Sequence, residues 1–205
     1  MANQKFNHFV SPDLTLDAQF ADISDIPQKD LTQGTTIFLH PGTYGALSAT
    51  FDDIAIVGLG DRDEVVIQGI TTNKLSANTL TLENLTITPT GNGAQELITQ
   101  CIDIAGEDGN LGMSVTCRRV TFTNANHAVK IHGNGSGLYW DCDMDGVDRG
   151  VLCNGGAQAF NFCHLTPNAY IDSSNDIATA ATVLACGGVG GNAGNTSNTI
   201  VALIT

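Results

Sequence analysis

The feature that most restricts this chain is an irregular internal repeat of apolar pairs two residues apart. Taking Ile54, Leu85, Val120, Cys142 and Cys163 as equivalent, each is followed two places on by Ile56, Ile87, Phe122, Met144 and Leu165. The intervals are 31, 35, 22 and 21 residues. The last two match one coil of a solenoid, and the longer two leave room for loops. A second set of inward pairs follows in each coil: Val65 and Ile67, Ile102 and Ile104, Val129 and Ile131, Val151 and Cys153. In the two compact coils the offset between the sets is nine residues both times (Val120 to Val129, Cys142 to Val151). Period-two alternation marks strands, and self-similarity at a coil's length marks a stacked architecture. One coil cannot bury its own inner face. Stacking coils about 4.8 Å apart satisfies the backbone along the axis and builds a continuous core. The expected fold is therefore all-β, a single-stranded right-handed parallel β-helix of about five to seven coils.

The 205 residues suit one such domain. Only 14% of residues are charged, glycine reaches 23, and Thr, Asn and Asp abound, which favours short strands and tight turns over helices. Three segments are expected. Residues 1–34 form an N-terminal arm and cap, in which Asp22–Pro27 is expected to cap the solenoid or to hold a short helix. Residues 35–186 form the solenoid. Residues 187–205 form a glycine-rich linker and an apolar C-terminal strand. The net charge of −13 repels phosphate backbones and anionic bilayers, so neither nucleic acid nor a membrane is an expected partner. No secretory signal pattern or membrane-spanning stretch is evident, and synthesis in a host cytoplasm is the expectation. The six cysteines (101, 117, 142, 153, 163 and 186) contain no Cys-x-x-Cys pair. They read as small buried hydrophobes with free thiols.

The segment Thr36-Ile37-Phe38-Leu39-His40-Pro41-Gly42-Thr43-Tyr44 resembles the first coil of pectate-lyase-like and pectin-methylesterase-like β-helices. Ile54-Ala55-Ile56-Val57-Gly58-Leu59-Gly60 and Val65-Val66-Ile67-Gln68-Gly69 are similar to their second coil. The likeness spans roughly residues 35–175 and implies a fold more than an activity, since such coils also occur in phage virion proteins. Gly146-Val147-Asp148-Arg149 and Ile131-His132-Gly133-Asn134-Gly135 match the enzymes' catalytic motifs only in fragments. Arg118 and Arg119, being adjacent, are expected on opposite faces of a strand.

Asp141-Cys142-Asp143-Met144-Asp145-Gly146 opens like a calcium-binding EF-hand loop, yet its twelfth position is Leu152 rather than glutamate. The preferred reading puts Cys142 and Met144 in the core and the three aspartates in one outward row. That register sets Arg119 beside Asp141, where an ion pair could form, and His164 beside Asp143, with Cys142 and Cys163 on neighbouring coils. Trp140 has the inward parity. Ser136, between Gly135 and Gly137, reads as a turn residue, and His8, His40, His127, His132 and His164 show no metal-ligand spacing. No catalytic, cofactor-binding or metal-binding residue is assigned, and no cofactor is expected.

The leading functional expectation is a non-enzymatic component of a virus particle: a head-decoration protein, or part of a tail or fibre. Its expected partners are its own subunits, as a homotrimer, and other virion proteins reached through the arm and the terminal strand. A surface glycan is a further candidate. The alternatives are a lyase, esterase or hydrolase acting on acidic polysaccharide, and a carbohydrate-binding adhesin.

Overall fold

The computed structural model describes residues 6–50, 53–73, 79–90, 100–105, 113–131, 135–153, 156–165, 169–172, 179–184 and 198–202. Every strand pairing among them is parallel. The strands stack as a β-solenoid with three faces. The first face runs through Asn7–Val10, Thr35–Leu39, Ile54–Gly58, 79–83, 113–118, Gly135–Trp140, Gly156–Asn161, Thr179–Leu184 and Asn198–Ala202. The second begins at Gly42–Tyr44 and Val65–Ile67 and continues through 85–87, 120–123, Asp143 and His164. The third runs through Leu47–Ser48, Ile70–Asn73, Gln100–Ala105, 127–131, 149–153 and Ala169–Asp172.

Alternate residues of each strand point inward and meet their equivalents on the next rung. On the first face Ile37, Ile56, Leu82, Cys117, Tyr139 and Phe160 form one fully buried column. On the third, Leu47, Ile70, Ile102, Val129 and Val151 do the same. Each such aliphatic or aromatic side chain stabilises the fold by about 1.5–3 kcal/mol through burial. Gln158 is a polar side chain buried within this core. Gln158 donates from Nε2 to the carbonyl of Gly135 at 2.9 Å, and the Tyr139 hydroxyl lies 3.3 Å from its Oε1. Gly137 makes room for both, because a Cβ there would strike the Gln158 amide and the Tyr139 ring.

The compact coils share a corner that explains their period. Asn84, Arg119, Asp141 and Phe162 all adopt left-handed backbone, with φ between 52° and 57°. In each coil the order is two inward residues spaced by two, then an exposed or partly exposed pair ending in the left-handed residue, then two more inward residues. Val115 and Cys117, then Arg118 and Arg119, then Val120 and Phe122 illustrate it, and Gln158, Phe160, Cys163 and Leu165 repeat the inward positions. One left-handed residue turns the chain between faces without a loop. It also widens the inward spacing across the corner from two to three.

This corner corrects the alignment expected from sequence. Ile54 stacks on Leu80, on the first face, whereas Leu85 begins the second-face run in which Thr86 and Ile87 pair with Val66 and Ile67. The second coil has an expanded corner, residues 59–64, which disguised the offset. Thr121 pairs with Asp143, which sets Val120 and Cys142 on neighbouring rungs, and Val129 pairs with Val151, both as expected. His164 bridges Asp143, which sets Cys142 and Cys163 on neighbouring rungs.

At the N-terminal end, Asn7–Val10 already forms a rung beside Thr35–Leu39, so the cap begins inside the ladder. Instead of an α-helix, Ile23–Asp25 makes a single 3-10 turn. Asp22 caps it, and the Asp25 carboxylate accepts from the Asp22 N–H. Ile23, Ile26 and Leu31 are buried there and close the end of the core. The Asp22 carboxylate also accepts from the Gly45 N–H at 2.7 Å, tying the cap to the first coil.

Candidate binding surface

The left-handed corner decides which chemistry reaches solvent. Period-two counting back from Cys142 puts Trp140 inside. The corner at Asp141 reverses that parity, so Tyr139 is the buried residue and Trp140 is 45% exposed. Phe162, one coil on, is 51% exposed, and the two rings lie 5.1 Å apart at 54°. The same reversal acts on the arginines. Arg118 ends the first-face strand pointing outward, and Arg119 is the corner residue, so both are exposed rather than opposed.

Along the outward side of the first face the register aligns Glu83, Arg118, Trp140 and Asn161 in one row. The next row inward from the corner aligns Thr81, Thr116, Leu138 and Ala159. Ser114, Ser136 and the small Ala157 stand beyond it, and the two serine hydroxyls are 3.0 Å apart. Ser136 is therefore an exposed strand residue, not part of a turn. Because these side chains are short, they leave a shallow groove of about 340 Å³ lined by Thr116, Leu138, Ala159 and the serines. Leu138 is 40% exposed and joins the groove to the Trp140 ridge. Arg62 reaches the same ridge from the second coil, its guanidinium 3.4 Å from the Asp141 carbonyl.

The corner is stitched from within. Asn84 donates its side-chain amide to the carbonyls of Gly58, at 3.2 Å, and Gly60. A Cβ on Gly58 would collide with the Asn84 carbonyl oxygen. In the following coils cysteines satisfy the corner carbonyls. Cys142 Sγ lies 3.5 Å from the carbonyls of Trp140 and Cys117, and Cys163 Sγ lies 3.3 Å from Asn161 and 3.5 Å from Tyr139. These positions suit a small side chain with a weak donor. Cys101, Cys117, Cys142 and Cys163 are buried free thiols. Burial pushes the Cys101 thiol up to about 12, and burial followed by the neighbouring Cys163 pushes Cys117 up as well. The side chains of Cys153 and Cys186 lie outside the described residues.

The aspartates do not form one row. Asp141 occupies the corner, and the strand begins only at Asp143. Arg119 and Asp141 are aligned on successive corners, yet no ion pair joins them among the described residues. Asp143 instead faces His164, with Nδ1 3.4 Å from Oδ1, as the register required. The Asp145 side chain and His132 lie outside the described residues. Gly146 sits at a register shift opposite Thr123, where any Cβ would strike that threonine. Asp148 and Arg149 are exposed farther along the coil, and Arg149 pairs with His127 on the third face. The structure thus does not bring Asp141, Asp143, Asp148 and Arg149 onto a single face. Among the described residues no group of three or more His, Cys, Asp or Glu is placed to share a metal ion. No helix among them is long and apolar enough to cross a membrane.

What this surface offers is contact chemistry: exposed aromatic rings, guanidinium forks, hydroxyls and carboxylates on a rigid ladder. Sequence reasoning missed it because parity was carried across a corner. The detectable signal was the three-residue spacing of Tyr139 and Cys142, and of Phe160 and Cys163. No protein-family model matches the chain, and no curated protein matches it.

Proposed function

We propose that this protein is a structural and adhesive component of a virus particle, acting by binding rather than turnover, as a head-decoration protein or part of a tail or fibre. The observation that carries the reading is the exposed Trp140–Phe162 ridge on a rigid parallel solenoid. Large aromatic and arginine side chains held outward on stacked strands are the chemistry of recognition surfaces. The resemblance of the first coils to pectate-lyase-like and virion β-helices is compatible with this role.

A second feature supports assembly. In the ladder of described strands Asn198–Ala202 pairs with Thr179–Leu184 on one side only. An open strand edge is a template for a further strand, from the same protein or another. The arm (residues 1–14) and the terminal segment (199–205) are the proposed contacts with sister subunits and other virion proteins. The test is fractionation of particles from infected host cells. Co-purification with capsids or tails supports the proposal, and recovery only as a free protein contradicts it. Deleting residues 195–205 should weaken particle association while leaving the solenoid folded.

A further inference from the structure

We propose that the first-face groove and its corner ridge form a binding site for a neutral glycan, with Trp140 as the stacking platform. The inference deepens the adhesive reading above by assigning the ligand class and the residues.

Three independent features converge on this one strip. The only tryptophan of the chain lies there, half exposed and braced by Phe162. Three of the four arginines, Arg62, Arg118 and Arg119, flank it, although the chain carries only 8 basic residues in all. Next to it runs a groove of about 340 Å³, walled by Ser114, Ser136, Thr116 and Leu138. The backbone adds a fourth point. Asparagine tolerates left-handed backbone well, but arginine and above all phenylalanine do not. Arg119 and Phe162 hold that conformation at the ridge, where the corner carries both side chains into solvent.

The dimensions select a sugar over a protein. The apolar strip comprises Leu138, Trp140 and Phe162, bordered by hydroxyl, amide and charged groups. A stable protein interface buries about 1,200 Å² or more with an apolar centre, whereas the exposed large apolar side chains of this strip are Leu138, Trp140 and Phe162. A pyranose ring has one apolar C–H face and a rim of hydroxyls. It fits an indole face bordered by donors and acceptors, with vicinal hydroxyls reaching a guanidinium fork or a carboxylate.

Charge selects a neutral sugar over an acidic one. Arg118 is aligned with Glu83, Asp141 occupies the corner next to that of Arg119, and Asp61, Asp63 and Glu64 are close to Arg62 in sequence. The arginines are locally balanced, and the whole chain carries −13. A polyanion gains little at the ridge and is repelled by the remainder.

The test is a glycan array carrying both neutral and acidic oligosaccharides, probed with the full chain, followed by titration of the best neutral binder while tryptophan emission is monitored. The expected result is preference for neutral glycans, a change in Trp140 emission on binding, and loss of affinity by about tenfold or more in Trp140→Ala. Arg118→Gln should weaken binding too, while Asp148→Asn, far along the coil, should leave it unchanged. Circular dichroism of each variant shows that the solenoid persists. Absence of neutral-glycan binding, preference for uronate-bearing glycans, or binding indifferent to Trp140→Ala in a folded variant would each overturn the proposal. Particle association without glycan binding would refute this site and leave the structural role standing.

Discussion

The indole of Trp140 and the ring of Phe162 lie on successive corners, 5.1 Å apart, although neither is part of the core. Their contact follows from two equivalent left-handed corners: the one at Asp141 leaves the preceding Trp140 outward, and the one at Phe162 carries the phenyl ring itself outward beside it. The pair is thus a consequence of backbone conformation, not of an apolar side chain seeking burial.

The corner conformation predicts an unusual stability effect. Phe162→Asn places a residue tolerant of left-handed backbone where a bulky one now sits, and relieves roughly 1 kcal/mol of strain. The exposed ring contact it removes is worth about 0.5–1.5 kcal/mol. Chemical denaturation should therefore show a change within about 1 kcal/mol of zero, while glycan affinity falls. A loss of several kcal/mol would mean that Phe162 is a core residue.

Gly58 should tolerate no side chain. Its Cβ would meet the backbone oxygen of Asn84, which is itself fixed by two bonds from the Asn84 amide to the coil before. Gly58→Ala is expected to cost about 1–3 kcal/mol, the usual range for forced overpacking. A urea midpoint equal to that of the parent would contradict this packing.

The N-terminal cap should be acid-sensitive. Burial works against the Asp22 charge, but bonds from the Gly45 N–H, the Ser24 N–H and the Ser24 hydroxyl outweigh it and hold the carboxyl below its ordinary range. With the folded value below the unfolded one near 3.9, the contribution is complete above that pH. It is lost as pH falls through the folded value. Asp22→Ala should cost about 0.5–2 kcal/mol at neutral pH, as for other cap removals, and should flatten the acid limb of the stability curve. An unchanged acid limb would remove Asp22 from this role.

Much of the fold was legible in the sequence, for a physical reason. Inward pairs such as Val129 with Ile131 and Val151 must alternate with period two and recur once per coil, since stacking is what buries them. The second-face pairs from Val120 to Leu165 were readable on the same grounds. What was not legible were the corners. A left-handed residue can be an asparagine, as at Asn84, but here it is also arginine, aspartate and phenylalanine, which carry no local signature. Hence Ile54 was matched with Leu85 instead of Leu80, and Trp140 was assigned to the interior. The ridge of the candidate site lay within that error, because Arg118, Arg119, Trp140 and Phe162 each precede or occupy a corner.

The buried thiols provide a pH test of opposite sign. Cys101 is raised to about 12 by burial, and Cys117 is raised as well, so the folded state keeps protons that an unfolded thiol gives up near 8.5. Their contribution is full below that value and declines as pH rises toward the folded value. Thermal stability should therefore fall above about pH 8.5. A thiol-specific disulfide reagent at pH 8 should leave Cys101, Cys117, Cys142 and Cys163 unmodified until denaturant is added, as mapped by peptide mass spectrometry. Rapid labelling of any of these four in the native protein would show that the core is not closed.

The central claim is that the left-handed corner turns Trp140 out of the solenoid, and the chain's single tryptophan makes this directly measurable. Native-state fluorescence with acrylamide and iodide quenching reports that indole alone. The account predicts red-shifted emission and ready quenching by acrylamide, changing little on unfolding, together with a marked reduction of quenching when the neutral glycan is bound. Blue-shifted emission protected from acrylamide until the protein unfolds would put Trp140 in the core, and would contradict both the corner and the surface built on it.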